Sequence, residues 1–423
     1  MEKFVINGGS RLEGTVRIGG AKNSILPVLA AVLLNKSGDE IILNDVPRIR
    51  DVLMMIEILR SLGAKVAWED SNRLVIYTQD VNIYTIEEQL MREMRSSVFL
   101  MGVLLTRFGQ VRFSHPGGCA IGPRPIDLHL KGLEALGARI REQPEQGYIY
   151  ASCPRLTGAD IHLDYPSVGA TENILMAAVY ARGVTTISNA AKEPEIVDLQ
   201  NILNKMGARV RGAGTDQIRI EGVNQLSGIE FSVIPDRIVA GTMMMCASAT
   251  GGEIVLENVI PAHLEAVTAK LRETGAQIRE DNGRLHIAAP CRPRAVNTVR
   301  TLPHPGFPTD LQAPMMAMLA GADGTSVVIE NVFDSRFKHA DELRRMNAQI
   351  IIDGRTAVVR GVSRLTGAAV TASDLRAGAA LVVAALGAEG ETSVDGLQHI
   401  DRGYENLEGQ LKQLGAQIRR IND

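Results

Sequence analysis

The chain has 423 residues, with 45 Lys and Arg against 48 Asp and Glu and a formal charge of -3. That near balance gives no electrostatic reason to expect nucleic acid or an anionic membrane surface as partner, and the length suits two or three domains with aliphatic cores. Four cysteines, Cys119, Cys153, Cys246 and Cys291, stand apart without a Cys-x-x-Cys pair, which suits reduced thiols in a cytosol and not a disulfide frame.

Met1 to Gly8 turns polar too soon to hold the apolar region of a signal peptide, so a cytoplasmic protein is expected. The longest apolar runs, 25–34 and 377–386, are about half of the roughly 20 residues that cross a bilayer, and they predict buried helices. A phrase then recurs six times: Leu62-Gly63-Ala64, Leu136-Gly137-Ala138, Met206-Gly207-Ala208, Thr274-Gly275-Ala276, Met346-Asn347-Ala348 and Leu414-Gly415-Ala416. Its spacing of roughly 70 residues is too long for a solenoid unit and suits a small βαβ-containing module.

Each phrase follows a stretch with helical apolar spacing, such as 52–60, so its glycine reads as a left-handed helix C-cap. Alternating segments around polar turns (69–72, 213–216) come next, and they predict a β-hairpin. The last copy ends after one such segment, while Phe4 to Gly14 matches the missing half. The expected organisation is therefore two three-repeat domains, 22–234 and 1–21 plus 235–423. A double crossing between them implies a hinge and a cleft, where the active site is expected. The link before repeat five, with Pro303-His304-Pro305-Gly306-Phe307-Pro308, reads as a loop.

Unusual polar residues gather where strands lead into helices. One kind of junction carries Lys22-Asn23, Arg95, Ser167 to Thr171, Asp236-Arg237, Thr309-Asp310, and Asp374 with Arg376; the other carries Arg48 to Asp51, Cys119 to Asp127, Glu193 to Glu195, Arg336, and Asp401-Arg402. Helix N-termini favour anions, and Lys22, Arg95, Arg124, Arg336, Arg376 and Arg402 would add fixed charge and bidentate forks for phosphate or carboxylate. Cys119 stands among glycines and prolines, five residues from Arg124, a setting that favours an exposed thiolate, whereas Cys153 and Cys246 read as buried and inert. Asp310 can be an N-cap or a functional acid. Metal-ligand spacings and a Walker loop are absent, so no metal or cofactor is expected.

Lys22-Asn23, the loop 116–125 around Cys119, Ser167-Val168-Gly169-Ala170-Thr171, Phe307-Pro308-Thr309-Asp310 and His399-Ile400-Asp401-Arg402-Gly403-Tyr404 closely resemble the UDP-N-acetylglucosamine 1-carboxyvinyltransferase family of enolpyruvyl transferases, nearly end to end. The resemblance implies an α/β fold of two domains, an inside-out α/β barrel of six repeated modules. It implies transfer of the enolpyruvyl group of phosphoenolpyruvate to the 3'-hydroxyl of UDP-N-acetylglucosamine, the first committed step of peptidoglycan synthesis, with these two small molecules as the partners. By the same resemblance Lys22, Arg124 and Arg402 grip phosphoenolpyruvate with Asn23 close to both substrates, Cys119 donates a proton and forms a covalent adduct, and Asp310 is the base on the sugar hydroxyl. Asn23, Arg95, Arg124, Pro125, Ile126, Asp127, Leu128, Ser167, Val168, Gly169, Thr309, Asp310 and Val332 would meet the sugar nucleotide, with Arg336, Asp374 and Arg376 in support.

Tyr165 and Arg50 stand where some relatives have lysine, and the first puts one phosphate contact in question. A shikimate-pathway enolpyruvyl transferase, or a catalytically silent sugar-nucleotide sensor, are the alternatives. The first lacks the cysteine loop, and Lys22, Cys119, Asp310 and Arg402 speak against the second. Nothing in the sequence sets the oligomeric state; a monomer is expected.

Overall fold

The structure is a computed structural model, and it describes residues 2–422 apart from 87, 89, 90, 92, 93, 115–124 and 144–146, with Arg95 described by its backbone alone. The recurring phrase marks the same event six times. A helix ends, and the next residue turns left-handed: Gly63 (φ 105), Gly137 (φ 97), Gly207 (φ 110), Gly275 (φ 97), Asn347 (φ 70) and Gly415 (φ 91). A Cβ there crowds the following carbonyl at a cost of about 1 kcal/mol, so glycine dominates and asparagine is the tolerated exception.

The described residues form six small sheets, five of four strands and one of three. Each follows one plan. In the sheet of the fifth module, Thr325–Ile329 runs parallel to the short strand Thr298–Arg300 and antiparallel to Thr356–Arg360, which closes a hairpin with Gln349–Asp353. In the three-stranded sheet, Gln110–Ser114 with Tyr148–Ser152 and Arg139–Gln143, the parallel edge is reduced to a single bridge between Thr85 and Arg112. Alternation buries one face of these strands, as in Gln217–Glu221, where Ile218 and Ile220 point inward.

The described residues divide into two compact units, one from residues 20–234 and the other from residues up to 19 together with 235 onward. Crossing is made by strands that serve one unit and lead into helices of the other. Glu13–Arg17 pairs with Glu253–Glu257 but precedes the helix Lys22–Ala31; Glu230–Ser232 pairs with Ile41–Asn44 but precedes the helix Arg237–Ala249. At the crossings the Ala21 N–H donates to the Ile234 carbonyl (2.8 Å) and the Asp236 N–H to the Gly19 carbonyl (2.9 Å).

In the 20–234 unit the apolar helices Lys22–Ala31, Phe99–Phe108 and Val168–Ala178 form the core, with amphipathic helices such as Arg50–Ser61 outside them. The other unit repeats the arrangement with Arg237–Ala249, Gln312–Leu319 and Leu375–Gly387. The two apolar runs thus lie within buried helical segments. Cutting Leu29 or Leu381 back to alanine would cost about 2–5 kcal/mol. In the second unit the strand Glu2–Asn7 lies between Glu391–Asp395 and Gln417–Asn422, antiparallel to both. Among the described residues no helix is long and apolar enough to cross a membrane.

Candidate functional site

In the 20–234 unit, Lys22 is the first residue of its helix, which has no side-chain cap. Its Nζ lies 2.8 Å from Asp51 Oδ2, with the two side chains 11% and 7% exposed. Ser24, two residues along, donates to Asp198 Oδ2, which also accepts the Ile234 N–H (3.3 Å). Burial pushes the Asp198 carboxyl up to about 6, with Ser24 and the Ile234 N–H opposing that rise. Beside this network Glu172 is almost fully buried, and neither carboxylate oxygen has a hydrogen-bond partner among the described residues. Burial, then Glu195 and Glu193, raise it well above the usual carboxylate value, which favours the protonated form.

Ser167 caps the helix Val168–Ala178 by accepting the Ala170 N–H (3.3 Å). Asn173 on that helix accepts the Gly102 N–H (2.8 Å) and approaches His129 Nδ1 (3.0 Å), tying together the three helices that begin near Arg95, Asp127 and Ser167. Asn23 is half-buried, Pro125 and Asp127 are exposed, Ile126 is buried, and Leu128, Val168 and Gly169 are half-buried. Cys119 and Arg124 lie outside the described residues.

In the other unit Asp310 sits between two arginines. Arg336 donates through Nη2 to Asp310 Oδ1 (2.6 Å), and Arg376 through Nη2 to Asp310 Oδ2 (2.7 Å). Burial raises the Asp310 carboxyl, but Arg376 and Arg336 outweigh it and hold the group well below the carboxylate range. Arg336 also donates to Thr309 Oγ1 (2.8 Å), whose hydroxyl proton points to the buried Glu330. Glu330 Oε1 further accepts the N–H groups of Val332 (2.9 Å) and Phe333 (3.1 Å), which fixes the turn that carries Val332. On the far side Arg376 donates to the Tyr404 hydroxyl (3.3 Å), which meets Thr242 Oγ1 (2.9 Å).

The anion-fork reading of the arginines needs correction here, because Arg336 and Arg376 already have a carboxylate to hold. Their remaining N–H groups and their charge, partly offset, are what a ligand would meet. Asp310 is not an N-cap: Pro308 occupies that place in the short 3₁₀ helix Thr309–Leu311, and the carboxyl two residues further on turns to the arginines. The helix-terminus reading is also narrowed. Asp236 caps its helix through the Ile238 and Val239 N–H groups, and Asp374 through those of Arg376 and Ala377, leaving the termini at Lys22, Arg95 and Thr309 without side-chain caps.

Asp401-Arg402 does not stand at a strand-to-helix junction. A short helix, Leu397–Ile400, follows the left-handed Gly396 (φ 80), so Arg402 lies in the turn before Leu407–Gln413, and Asp401 is taken by Arg420 (2.6 and 3.1 Å). Sequence reasoning assigned no role to Glu330, Thr242 or Asp198, and it placed Asp51 at a junction without one. Of these only Asp51 carried a signal, as an acid at a helix start. Among the described residues no cluster of His, Cys, Asp and Glu could hold a metal ion.

A carboxylate thus stands between two guanidiniums at a helix start, in a fold of six repeated modules. The chain belongs to the enolpyruvyl transferases: the family model described as EPSP synthase (3-phosphoshikimate 1-carboxyvinyltransferase) matches residues 6–411. It is 57% identical over 425 residues to a UDP-N-acetylglucosamine 1-carboxyvinyltransferase 1 of Symbiobacterium thermophilum, covering 99% of this chain and 95% of the relative. It is 54% identical over 421 residues to a UDP-N-acetylglucosamine 1-carboxyvinyltransferase 2 of Caldanaerobacter subterraneus subsp. tengcongensis, covering all of both chains. The fold is shared with the enolpyruvyl transferase NikO from Streptomyces tendae (TM-score 0.88, 24% identity, 100% and 99% covered) and with EPSP synthase from Acinetobacter baumannii (TM-score 0.75, 18% identity, all of both chains covered).

Proposed function

We propose that this chain transfers the enolpyruvyl group of phosphoenolpyruvate to the 3'-hydroxyl of UDP-N-acetylglucosamine and releases phosphate, the enolpyruvyl transfer step of peptidoglycan synthesis. Full-length similarity to enzymes of that name supports the acceptor. The observation in the fold that carries the chemistry is the ionised Asp310 between Arg336 and Arg376.

Addition needs a proton on the methylene carbon of phosphoenolpyruvate and loss of one from the sugar hydroxyl as its oxygen bonds to the adjacent carbon; elimination then takes a proton from the new methyl group and expels phosphate. Cys119 supplies the first proton and can itself add to phosphoenolpyruvate. Lys22, Arg124 and Arg402 hold the phosphate and carboxylate, with Asn23 beside both substrates. Asp310 accepts the proton of the sugar hydroxyl. A carboxylate held this far below its usual range is a weak base until something offsets its arginines, and an anionic substrate brought against those guanidiniums would do so. Arg95, Asp127, Ser167, Val332 and their neighbours bind the sugar nucleotide, Asp374 positions Arg376, and the chain acts as a cytoplasmic monomer.

Phosphate release measured with each substrate alone and with both tests the reading; release that needs both is expected. Turnover with shikimate 3-phosphate in place of the sugar nucleotide would overturn the choice of acceptor.

A further inference from the structure

Proton accounting around Arg376 fixes the direction of a short relay. The Thr242 hydroxyl gives its proton to the Ile238 carbonyl (2.8 Å), so toward Tyr404 it can only accept. The phenol therefore donates to Thr242 (2.9 Å) and turns its lone pairs to Arg376 Nη1 (3.3 Å), while Nη2 of the same guanidinium reaches Asp310 (2.7 Å). Tyr404 is 2% exposed, and its ring centroid lies 5.8 Å from the guanidinium carbon. Burial raises the phenol above its usual range against the opposing pull of Arg376, so it stays neutral. The two arginines are thus held unequally: Arg336 leans, through Thr309, on the carboxylate of Glu330, and Arg376 on a neutral phenol.

We propose that Tyr404 is a positioning residue for Asp310, acting through Arg376 from an anchor on Thr242. Burial opposes the charge on the guanidinium, and Asp310, ahead of Tyr404 and Asp236, sustains it; the hydrogen bond from Nη1 to the phenol orients it. Without that acceptor one buried N–H of Arg376 loses its partner, and the fork can rotate off the carboxylate. The assignment rests on the proposed role of Asp310.

Tyr404→Phe removes one oxygen and keeps the ring. It is expected to lower kcat by about 10–100-fold while KM for both substrates stays within about twofold, the mark of lost alignment. Thr242→Val reproduces part of the loss, and Thr242→Ser, which keeps the hydroxyl, restores it. Placed on Asp310→Asn, Tyr404→Phe is expected to cost less than about twofold further, since the group it positions is gone. An unchanged kcat in Tyr404→Phe, or an equal loss in both backgrounds, overturns the proposal. Nitrogen-15 exchange at the Arg376 guanidinium gives a readout without turnover: faster rotation in Tyr404→Phe supports the assignment, and unchanged rotation refutes it. A wild-type protein that released no phosphate would sink the proposed function and leave that measurement to decide the positioning.

Discussion

Lys22 and Asp51 form an ion pair (Nζ to Oδ2, 2.8 Å) from which water is nearly excluded. One charge supports the other. Asp51→Asn leaves a buried ammonium with a weaker partner and should destabilise the 20–234 unit by about 3 kcal/mol, read as a lower urea midpoint. Lys22→Met with Asp51→Leu should recover most of that stability. It should not recover activity: kcat/KM for phosphoenolpyruvate stays down by about 100-fold or more if Lys22 supplies the charge that holds it. Full activity in the double variant would remove Lys22 from the site.

The two units should answer acid in opposite directions. Burial holds the Asp198 carboxyl at about 6 against its ordinary 3.8, so its contribution is fully present below pH 3.8 and is lost as pH rises through 6. Glu172, raised well above its usual value, acts in the same sense. Burial lowers His339 in the other unit from 6.5 to about 4, so its contribution is complete above pH 6.5 and is lost as pH falls toward 4. Calorimetry between pH 6.5 and 4 should show one transition rising and the other falling. Asp198→Asn should flatten the first, and His339→Gln the second.

Glu172 gives a simpler test. Its buried carboxyl has no hydrogen-bond partner among the described residues and lies near Glu195 and Glu193, so Glu172→Leu should raise the melting temperature at neutral pH by a few degrees, about 1 kcal/mol. A lower melting temperature would mean that the carboxyl has a partner which the side-chain geometry does not reveal.

Thiol chemistry separates the cysteines. Cys246 is buried and its thiol pushed up to about 12, Cys153 is buried with Sγ directed at the Arg155 carbonyl (3.1 Å), and Cys291 is exposed. An epoxide that mimics phosphoenolpyruvate should nevertheless label Cys119 rather than Cys291, because the proposed phosphoenolpyruvate-binding cations belong with the former, whereas Arg292 beside Cys291 is engaged by the carbonyls of Gly321, Ala322 and Val362. Peptide mapping with the label on Cys291 would refute this. Cys119→Asp should keep turnover and escape labelling, while Cys119→Ala loses about 10²–10⁴-fold.

The architecture was legible because its signal is local: a residue that must turn left-handed after a helix announces itself as Gly63, Gly137 or Asn347 whatever it packs against. Helix starts were legible for the same reason, and Ser167, Asp236 and Asp374 are caps of the expected type. Partners were not. Asp310 meets Arg376 across 66 positions and Ser24 meets Asp198 across 174, and no periodicity in the chain records which of several acids a given cation will find. Asp310 shows the cost: its place at a helix start left a cap and a functional acid both open, and its carboxyl, two residues past the N-cap Pro308, goes to Arg336 and Arg376.

The strand Glu2–Asn7 lies between Glu391–Asp395 and Gln417–Asn422, so it is made on the ribosome long before either of the strands it pairs with. At roughly 5–20 residues per second it waits on the order of a minute for its neighbours, with Phe4, Val5 and Ile6 unpaired meanwhile. The 20–234 unit has all its strands by residue 232 and can fold while synthesis continues. Asp310, Arg336 and Arg376 all belong to the second unit, so the candidate catalytic acid is assembled only after the 20–234 unit has been made.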